Sequence, residues 1–466
     1  MRPLMVLGCT SSAGKSLLVT GLVRWFARQG VDVVPFKAQN MSNNARVVAG
    51  GEIGVAQWLQ AVAAGVEPDV RMNPVLLKPE ADDRSQVVVN GVARQDLTAM
   101  PWRDRAEWLW PAMADAFDGL RAEHELVVIE GAGSPAEINL PDLANNRTLT
   151  HADGHALLVA DIDRGGAFAH LYGTWSLVPD ETRRRLGGFV LNKFRGDASL
   201  LAPGPSDLTG LTGVRFAGVL PMLHHELPDE EGATVRAVPP GDAPVVAVVR
   251  YPYASNLDEL HLLGHVAHVR FATRPADIDG TDMVILPGSK HIAADVSWMR
   301  AQGLADAVER SAAAGRRVLG VCGGAMILGR CIDDPDGVEG TAQGLGLMGL
   351  DTVMVPAKIT RAVTVRFAGV PAPWSAVNSA SAEGYEIRHG RVHVVGTPAA
   401  MDRAHWWCDG PVLATTVHGL LESPDLLHAL FGRRPPPVLE RTCDLLADAV
   451  DEHLDTALLH ALTCPT

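Results

Sequence analysis

The segment GCTSSAGKS, residues 8–16, has the residue types of a loop that binds nucleotide phosphates. Such a loop needs glycines that let consecutive N–H groups point inward, a helix that begins behind them, a lysine for the β- and γ-phosphates and a hydroxyl for Mg²⁺. Gly8 and Gly14 bracket five residues, one more than in the usual signature, and Lys15 and Ser16 follow directly. The alternative is a strand-to-helix turn that contains Gly-Lys-Ser by chance. The predicted nucleotide contacts are Gly8, Thr10, Ser12, Ala13, Gly14, Lys15, Ser16 and Asn192.

A carboxylate is expected near the metal that accompanies a bound nucleotide. In VVIEGAGSPAE, Glu130 comes where a predicted strand stops, and the glycines after it allow the backbone to approach a ligand closely. The alternative is an acidic residue in a solvated turn. Glu52, at a helix start in GGEIGVAQ, is a second candidate with a weaker basis. Asn192, in LNKFRGD, either reads a nucleobase with its amide or lies in a surface turn. The predicted metal ligands are Ser16, Glu130 and Glu52.

A second kind of chemistry is indicated by VLGVCGGAMILG, residues 318–329. A thiol nucleophile on a tight strand-to-helix turn needs small neighbours, and the N–H of Gly323 is placed to hold an oxyanion beside Cys322. Gly288, in LPGSK, offers further backbone donors, and His418, in TTVHGLLESP, is the candidate base because histidine titrates near neutral pH. The alternative is a buried cysteine with a structural role.

The first half of the chain must provide a scaffold that positions the phosphate loop. Short apolar runs alternate there with helical patterns, as they do in βαβ units. The run at 15–30 predicts an amphipathic helix directly after the loop. The pattern predicts an α/β fold with a doubly wound parallel sheet. Strands are predicted at 4–8, 31–37, 125–131, 156–161 and 187–193.

The second half repeats this alternation and must position the thiol. Residues 222–244 are acidic and proline-rich and lose all periodicity, which predicts a domain boundary. A second α/β domain is therefore predicted after the first. A last amphipathic stretch, 444–462, predicts a C-terminal helix. Strands of the second domain are predicted at 245–250, 282–288, 316–324 and 412–419.

Composition bounds the class of protein. At 466 residues the chain is too long for one hydrophobic core, so two domains are expected. Hydrophobic residues make up 47% and charged residues 20%, and no apolar run approaches the ~18 residues of a membrane span. The net charge of −14 argues against a general nucleic-acid or anionic-membrane binder, although a local cationic cluster suits an anionic substrate.

The cysteines and the N-terminal residues bear on where the protein resides. The six cysteines lack CxxC spacing, which predicts neither a zinc site nor a disulfide framework, and free thiols suit a reducing cytosol. An apolar strand is predicted from residue 4, which leaves no room for a signal peptide before it. We therefore expect a cytoplasmic protein.

Further segments extend over both halves of the chain in a fixed order: PFKAQNMSNNA (35–45), GGEIGVAQ (50–57), MNPVLLKP (72–79), VIEGAGSPAEINL (128–140), LVADIDRGGAFA (158–169), LNKFRGD (191–197), VILPGSKHIAADVSWMRAQGL (284–304), GVCGGAMILG (320–329), EGYEIRHG (383–390) and VHGLLES (417–423). With the loop at 8–16, they make the whole chain resemble the cobyric acid synthase family, the glutamine-dependent amidotransferases of cobalamin biosynthesis.

The resemblance implies an N-terminal domain similar to dethiobiotin synthetase, whose phosphate loop has the same five-residue spacing. It implies a C-terminal domain similar to class I glutamine amidotransferases. The predicted domains are residues 1–228 for ATP binding and amide ligation, 243–434 for glutamine hydrolysis, and 435–466 as a helical extension.

The resemblance also implies the reaction. Cys322 takes the acyl group of glutamine as a thioester, with His418 as its base, and ammonia is released. The other domain uses ATP and Mg²⁺ to activate a substrate carboxylate as an acyl phosphate, which ammonia attacks. The family amidates the b, d, e and g carboxylates of adenosylcobyrinic acid a,c-diamide. Class I glutaminases often carry a glutamate two residues after the histidine, but here Glu422 is four residues on. What orients the imidazole is therefore left open.

Three other functions stay open at this stage. One is a paralogous amidotransferase that acts on another carboxylate, such as cobyrinic acid or a cell-wall glutamate. Another is a partition-type ATPase that cycles with nucleotide, in which a complete Cys/His glutaminase has no role. The third is a regulatory protein with an inactive glutaminase. The expected partners are a small corrinoid and glutamine, with neither nucleic acid nor membrane, and the oligomeric state is undetermined.

Overall fold

The first half of the chain folds around a parallel sheet. The computed structural model describes residues 1–81, 84–139, 142–228, 235, 237–402 and 404–464. In spatial order the strands of this sheet are Arg215–Pro221, Leu186–Phe194, His155–Asp161, Leu4–Gly8, Leu126–Glu130 and Val33–Phe36. The helices of this half are Lys15–Arg28, Val55–Ala64, Gln95–Thr98, Ala106–Glu123, Thr148–Ala152, Ala167–Leu177, Asp180–Arg185 and Gly204–Thr212.

Both faces of this sheet are covered, as its apolar strands require. Met5 and Leu7 pack in one apolar cluster with residues of the helix Ala106–Glu123. Leu4 and Val6, on the opposite face, pack in another cluster with the helix Lys15–Arg28. Every residue of the central strand is therefore buried, which explains why it reads as a continuous apolar run rather than an alternating one. The predicted doubly wound α/β fold is confirmed.

The second half contains a mixed sheet. Its strands, in spatial order, are His268–Ala272, Val245–Val249, Met283–Leu286, Arg317–Val321, Val412–Thr415, Trp406–Asp409 and Ala400–Met401. The first five run parallel to their neighbours, and the last two pair antiparallel. The helices here are Ile292–Ala301, Leu304–Ala313, Gly323–Leu328 and Pro424–Phe431. The predicted second α/β domain is thus confirmed.

Smaller sheets lie beside the two large ones. In the first half, Gln39–Met41, Val75–Ala81, Arg84–Val89 and Val92–Ala93 form one sheet, and Ala45–Val48 pairs with Gly51–Gly54. In the second half, Ala342–Gln343, Cys331–Asp333, Leu350–Arg366 and Ser381–Val394 form another, and Ala254–Ser255 pairs with Gly288–Ser289.

The C-terminal segment differs from its prediction. The helix predicted at 444–462 is two helices, Val438–His453 and Thr456–Thr463. The helix is interrupted between them because Asp455 donates its backbone N–H to Ala217 O at 2.7 Å, and its side chain caps the last helix by accepting from the N–H of Leu458. Both helices pack on the first domain, against the helix Lys15–Arg28.

Parts of two predicted segments lie outside the described residues. These are 229–234 and 236 in the predicted boundary, and 465–466 in the predicted C-terminal extension. Among the helices that the structure describes, none combines the length and the apolar character needed to cross a membrane.

Candidate active site

The phosphate loop lies between the strand Leu4–Gly8 and the helix Lys15–Arg28. Gly14 has a φ of 97°, and a Cβ there would lie 1.9 Å from Asn192 Nδ2, so this position requires glycine. Lys15 is the first residue of the helix, and its ammonium donates to Gly133 O at 3.0 Å. A Cβ on Gly8 would be 3.0 Å from the same ammonium. The glycines thus let the lysine fold back over the loop.

Glu130 connects the loop to the neighbouring strand. Ser16 Oγ donates to Glu130 Oε1 at 2.7 Å, Lys37 Nζ lies 2.8 Å from the same oxygen, and Gln60 Nε2 donates to Oε2 at 2.5 Å. Burial on its own would raise the pKa of Glu130, but the ammonium of Lys37 and these hydrogen bonds hold that pKa below its ordinary value. Glu130 is therefore an ionised carboxylate beside the loop, where the sequence predicts a metal ligand.

Asn192 contacts the phosphate loop and also lines the cavity beside it. Its Nδ2 donates to Ala13 O at 2.9 Å, and its Oδ1 accepts from the N–H of Lys193 at 2.8 Å. Lys193 Nζ donates to Ser12 O and to Asp161 Oδ2, each at 2.8 Å. Both polar ends of the Asn192 amide are thus engaged by the chain. The amide braces the loop, and because Asn192 also lines the cavity beside it, the contact with a nucleobase stays a prediction.

A cavity of about 790 Å³ opens beside the loop and is lined by Lys15, Ser16, Lys37, Glu130 and Asn40, among others. Ser16 and Glu130 present hard oxygen donors here, which Mg²⁺ prefers. Within the described ranges there is no group of three or more His, Cys, Asp and Glu that would hold a metal by side chains alone. A nucleotide-bound Mg²⁺ needs no such group, since phosphates and water complete its shell.

Glu52 is not part of this cavity wall. Its side chain is fully buried, with Oε2 paired to Lys78 and Oε1 paired to Lys358. Burial alone would raise the pKa of Glu52, but the two ammonium groups lower it. Both carboxylate oxygens are already neutralised by lysines, so the predicted metal role of Glu52 does not fit the structure. The metal site proposed below consists of Ser16 and Glu130 without it.

Cys322 stands on a sharp turn between the strand Arg317–Val321 and the helix Gly323–Leu328. Its φ of 50° is unusual for a residue with a side chain and aims the thiol away from the strand. Small residues make the turn possible, because a Cβ on Gly324 would lie 1.9 Å from Leu286 O. Cys322 N–H donates to Thr415 O at 2.7 Å, which fixes the turn to the neighbouring strand.

A glutamate that the sequence did not indicate orients the histidine. His418 Nδ1 lies 3.0 Å from Glu259 Oε1, and the N–H of Gly419 donates to Glu259 Oε2 at 2.7 Å. Glu259 belongs to the turn Leu257–Leu260, just after the domain boundary, and is buried. Glu422, the carboxylate nearest in sequence, instead pairs with Arg46. Glu259 is therefore the group that orients the imidazole of His418.

The surroundings of His418 favour its charged form. Burial opposes a charged imidazole, but the charges and hydrogen bonds of Cys322 and Glu259 raise the pKa of His418 to about 10. The raised pKa favours an imidazolium at His418 at neutral pH, next to the Cys322 side chain. Cys9, in the phosphate loop, differs in that burial raises its pKa to about 12. The hydrogen bond with His418 makes Cys322, rather than Cys9, the candidate reactive thiol.

The predicted oxyanion glycines lie against these groups. A Cβ on Gly288 would be 2.8 Å from His418 Cε1, and a Cβ on Gly323 would be 2.6 Å from Ser289 N. Gly288 and Ser289 form a short strand with Ala254–Ser255. The structure therefore brings Cys322, His418, Gly288 and Gly323 together, separately from the phosphate loop.

Comparison with known proteins agrees with both sites. Residues 4–231 match the CobQ/CobB/MinD/ParA nucleotide binding domain, and residues 245–426 match the CobB/CobQ-like glutamine amidotransferase domain. The chain is 52% identical over 475 residues to a cobyric acid synthase of Variovorax paradoxus (strain S110), covering 99% of each chain. It is 53% identical to a cobyric acid synthase of Paracidovorax citrulli (strain AAC00-1), covering 98% of each.

This chain belongs to the cobyric acid synthase family. The predicted family resemblance is confirmed over the full length, and the alternative of a partition-type ATPase without a glutaminase is not favoured. Three residues of the two sites were not predicted from the sequence: Lys37, Gln60 and Glu259. A signal existed only for Lys37, which is the last residue of the strand predicted at 31–37. Gln60 and Glu259 lie within a helix and a turn that no motif marked.

Proposed function

We propose that this protein makes cobyric acid by amidating the b, d, e and g carboxylates of adenosylcobyrinic acid a,c-diamide, with ATP and glutamine as co-substrates. The observation that carries the proposal is that one chain holds two separate reactive sites. One is the phosphate loop with Ser16 and Glu130 in contact, and the other is Cys322 with His418 and Glu259. An amidoligase fed by glutamine needs both.

At the glutaminase site, the thiolate of Cys322 adds to the side-chain carbonyl carbon of glutamine. Backbone N–H groups at Gly323 and Gly288 stabilise the oxyanion that forms. His418 then gives its proton to the departing nitrogen, the C–N bond breaks, and ammonia leaves a thioester on Cys322. His418 next takes a proton from water, which attacks the thioester and releases glutamate. Glu259 holds the imidazole in position and stabilises its charged form.

At the nucleotide site, an acceptor carboxylate attacks the γ-phosphorus of ATP and ADP leaves, which gives an acyl phosphate. Ammonia then attacks the acyl carbon, and phosphate leaves as the amide forms. Lys15 and Lys37 line the cavity and offset the negative charge of the transferring phosphoryl group. Ser16 and Glu130 would hold Mg²⁺, which when bound neutralises charge on the β- and γ-phosphates.

A second, larger cavity suits the acceptor. It has a volume of about 1890 Å³ and lies between the two domains. Its lining includes apolar residues such as Val92 and Met100, the cations Arg94, Arg105, Lys358 and Arg361, and the acidic residues Glu67, Asp96 and Asp336. Arg105 also lines a small neighbouring cavity, which shares Gln39 and Ala132 with the cavity beside the phosphate loop. The shared lining residues make the three cavities neighbours. A corrinoid has an apolar macrocycle, which suits the apolar residues of this lining, and peripheral carboxylates, which suit its cations.

The test is direct. The purified full-length protein, given glutamine, MgATP and adenosylcobyrinic acid a,c-diamide, should consume ATP and add amide groups that mass spectrometry counts on the corrinoid. Cobyrinic acid, offered in parallel, is the acceptor of the paralogous reaction. Amidation of cobyrinic acid alone, or of neither compound in a folded preparation that hydrolyses glutamine, would overturn the proposed substrate.

A further inference from the structure

One strand of the nucleotide domain reaches the glutaminase site. In the strand Ala45–Val48, Ala45 packs in an apolar cluster with Tyr385 and Ile387 of the other domain. Ile387 is also the residue whose carbonyl lies 3.8 Å from Cys322 Sγ. The next residue, Arg46, is charged and yet only 3% exposed. It takes no part in the proposed reaction steps. A buried arginine at a domain interface needs a compensating set of partners.

All the anionic and hydroxyl partners of Arg46 belong, within the described residues, to the glutaminase domain. Arg46 Nη1 donates to Tyr385 Oη at 2.7 Å. Its Nη2 pairs with Glu422 Oε1 at 2.5 Å and also with Asp258. Asn256 reinforces the contact, because its Nδ2 donates to Tyr385 Oη and to Ala45 O, each at 2.9 Å. The guanidinium thus joins three glutaminase segments at a single point.

Each of these segments adjoins His418. The ring of Tyr385 stacks on the imidazole at 5.5 Å with an interplanar angle of 21°, and the two residues exchange backbone hydrogen bonds of 2.9 and 3.0 Å. Asp258 immediately precedes Glu259, the carboxylate that holds His418 Nδ1. Glu422 closes the turn Leu420–Glu422, which follows His418 by one residue. Arg46 therefore fixes the neighbours of the catalytic base without touching the base.

On its own side, Arg46 contacts an element of the nucleotide site. Its guanidinium lies 5.3 Å from the ring centroid of Trp58, in the helix Val55–Ala64. Val55, Ala56 and Leu59 of that helix line the cavity beside the phosphate loop. The same helix supplies Gln60, which donates to Glu130. The arginine is consequently anchored to the structure that receives the nucleotide.

Loss of the guanidinium would leave Asp258 and Glu422 close together without their shared cation. Like charges that are buried side by side repel one another and favour either protonation or displacement. Either response would shift the turn that holds Glu259 against His418. The catalytic base would then lose its orientation even though Cys322, His418 and Glu259 are all still present.

We propose that Arg46 is a positioning residue that the nucleotide domain supplies to the glutaminase, so that the Cys322–His418–Glu259 arrangement is complete only when the two domains are docked. The proposal rests on the proposed function of the Cys322 site in glutamine hydrolysis. It goes beyond that function because it makes ammonia production depend on the other domain.

The test uses full-length Arg46→Gln and Arg46→Lys. For Arg46→Gln we expect the glutaminase kcat to fall about tenfold or more, with the KM for glutamine within about twofold, because base orientation rather than glutamine binding is affected. Ammonia-dependent amidation should stay within about twofold. Arg46→Lys keeps the positive charge but loses the planar guanidinium with its several N–H donors, so its kcat should lie between those of Arg46→Gln and the unchanged protein. Arg24→Gln, which removes the pairs with Glu440 and Asp444, is the matched control and should leave both activities unchanged.

Tyr385→Phe provides a milder variant if Arg46→Gln does not fold. It keeps the ring on His418 and removes only the hydroxyl that accepts from Arg46, so a smaller fall in glutaminase kcat is expected, with ammonia-dependent amidation preserved. The proposal is overturned if Tyr385→Phe is fully active in glutamine hydrolysis, or if the Arg46 variants lower both activities by the same factor. A protein that hydrolyses glutamine but amidates no corrinoid refutes the proposed substrate, while glutaminase rates still decide the role of Arg46.

Discussion

The two sites differ in how their residues are drawn from the chain. The nucleotide site is mostly one loop, residues 8–16, completed by Lys37 and Glu130 at the ends of neighbouring strands. The glutaminase site combines residues 259, 322 and 418 and is braced by a residue from the other domain. A local loop keeps its shape through its own glycines and helix. A dispersed site keeps its shape only through long-range packing, so we expect it to be sensitive to changes far from the thiol.

The two sites also differ in charge. At the nucleotide site, Lys37 lowers the pKa of Glu130, and Lys15 adds a second cation near the phosphates. At the glutaminase site, the charges of Cys322 and Glu259 raise the pKa of His418. The first arrangement gathers cations beside the phosphate loop, whereas the second favours an imidazolium at His418. In both sites, an opposite charge nearby shifts the pKa so that the charged form of the group is favoured.

The largest effect is expected from Cys322→Ala. Glutamine-dependent synthesis should fall by about 10⁴-fold or more, since the nucleophile is removed. Ammonium chloride supplied at high concentration should restore synthesis to within about twofold, because the nucleotide site is intact. Both rates are measured as amide formation on the corrinoid. If added ammonia does not rescue the variant, the two sites are not separable in the way that the structure indicates.

Lys15→Ala is the reciprocal change at the nucleotide site. Amidation with either glutamine or ammonia should fall by about 10²- to 10³-fold, because the phosphoryl group loses a cation that offsets its charge. Glutamine hydrolysis without ATP should change by less than about threefold and serves as the internal control for folding. Amidation at the normal rate would show that residues 8–16 are not the site of ATP use.

Glu259→Gln removes a charge while keeping a similar shape. Glutaminase kcat should fall by about 10²-fold, since the imidazolium loses its stabilising carboxylate. The same contact sets the direction in which the pH dependence of kcat should change. Glu259 raises the pKa of His418, so its loss lowers that pKa, and the alkaline limb of the glutaminase profile should move to lower pH. A pH–rate profile for kcat checks this, and an alkaline limb that does not move would contradict it.

The smallest effect is expected from Arg94→Gln. Arg94 lines the interdomain cavity and is about half exposed, with Asp96 as its partner. Exposed charge pairs contribute little, so the KM for the corrinoid should rise only about three- to tenfold. The KM values for ATP and glutamine should not change, and steady-state kinetics with each substrate varied in turn measures all three. Arg28→Gln, on the far surface with Asp448, is the matched control.

Much of the fold followed from sequence pattern, and the exceptions have identifiable causes. The strand Leu4–Gly8 and the helix Lys15–Arg28 were predicted because burial and periodicity are local properties of those residues. The C-terminal helix was predicted as one piece because its periodicity continues, whereas the structure breaks it where Asp455 caps a new helix against the first domain. No pattern within 444–462 records that distant contact.

The residues of the candidate sites also divide into those that short segments of sequence predict and those that depend on tertiary packing. Loop glycines, Lys15 and the Cys322 turn are encoded in short segments, because each needs particular neighbours in sequence to adopt its backbone conformation. Glu52 shows the limit of that reasoning. A carboxylate at a predicted helix start looked suitable for a metal, but tertiary packing places Lys78 and Lys358 against it.

The sequence by itself therefore determined two tight turns, at residues 8–16 and at Cys322, because only certain residues can form them. Phosphate binding at the first turn and thiol chemistry at the second are the predictions that follow from those residues. Only the tertiary structure decided which side chains complete the two sites. Glu259, rather than Glu422, holds His418, and Arg46 crosses from the other domain to brace it. The physical reason is that burial selects partners by proximity in space, so each buried charge pairs with whichever group the fold brings to it.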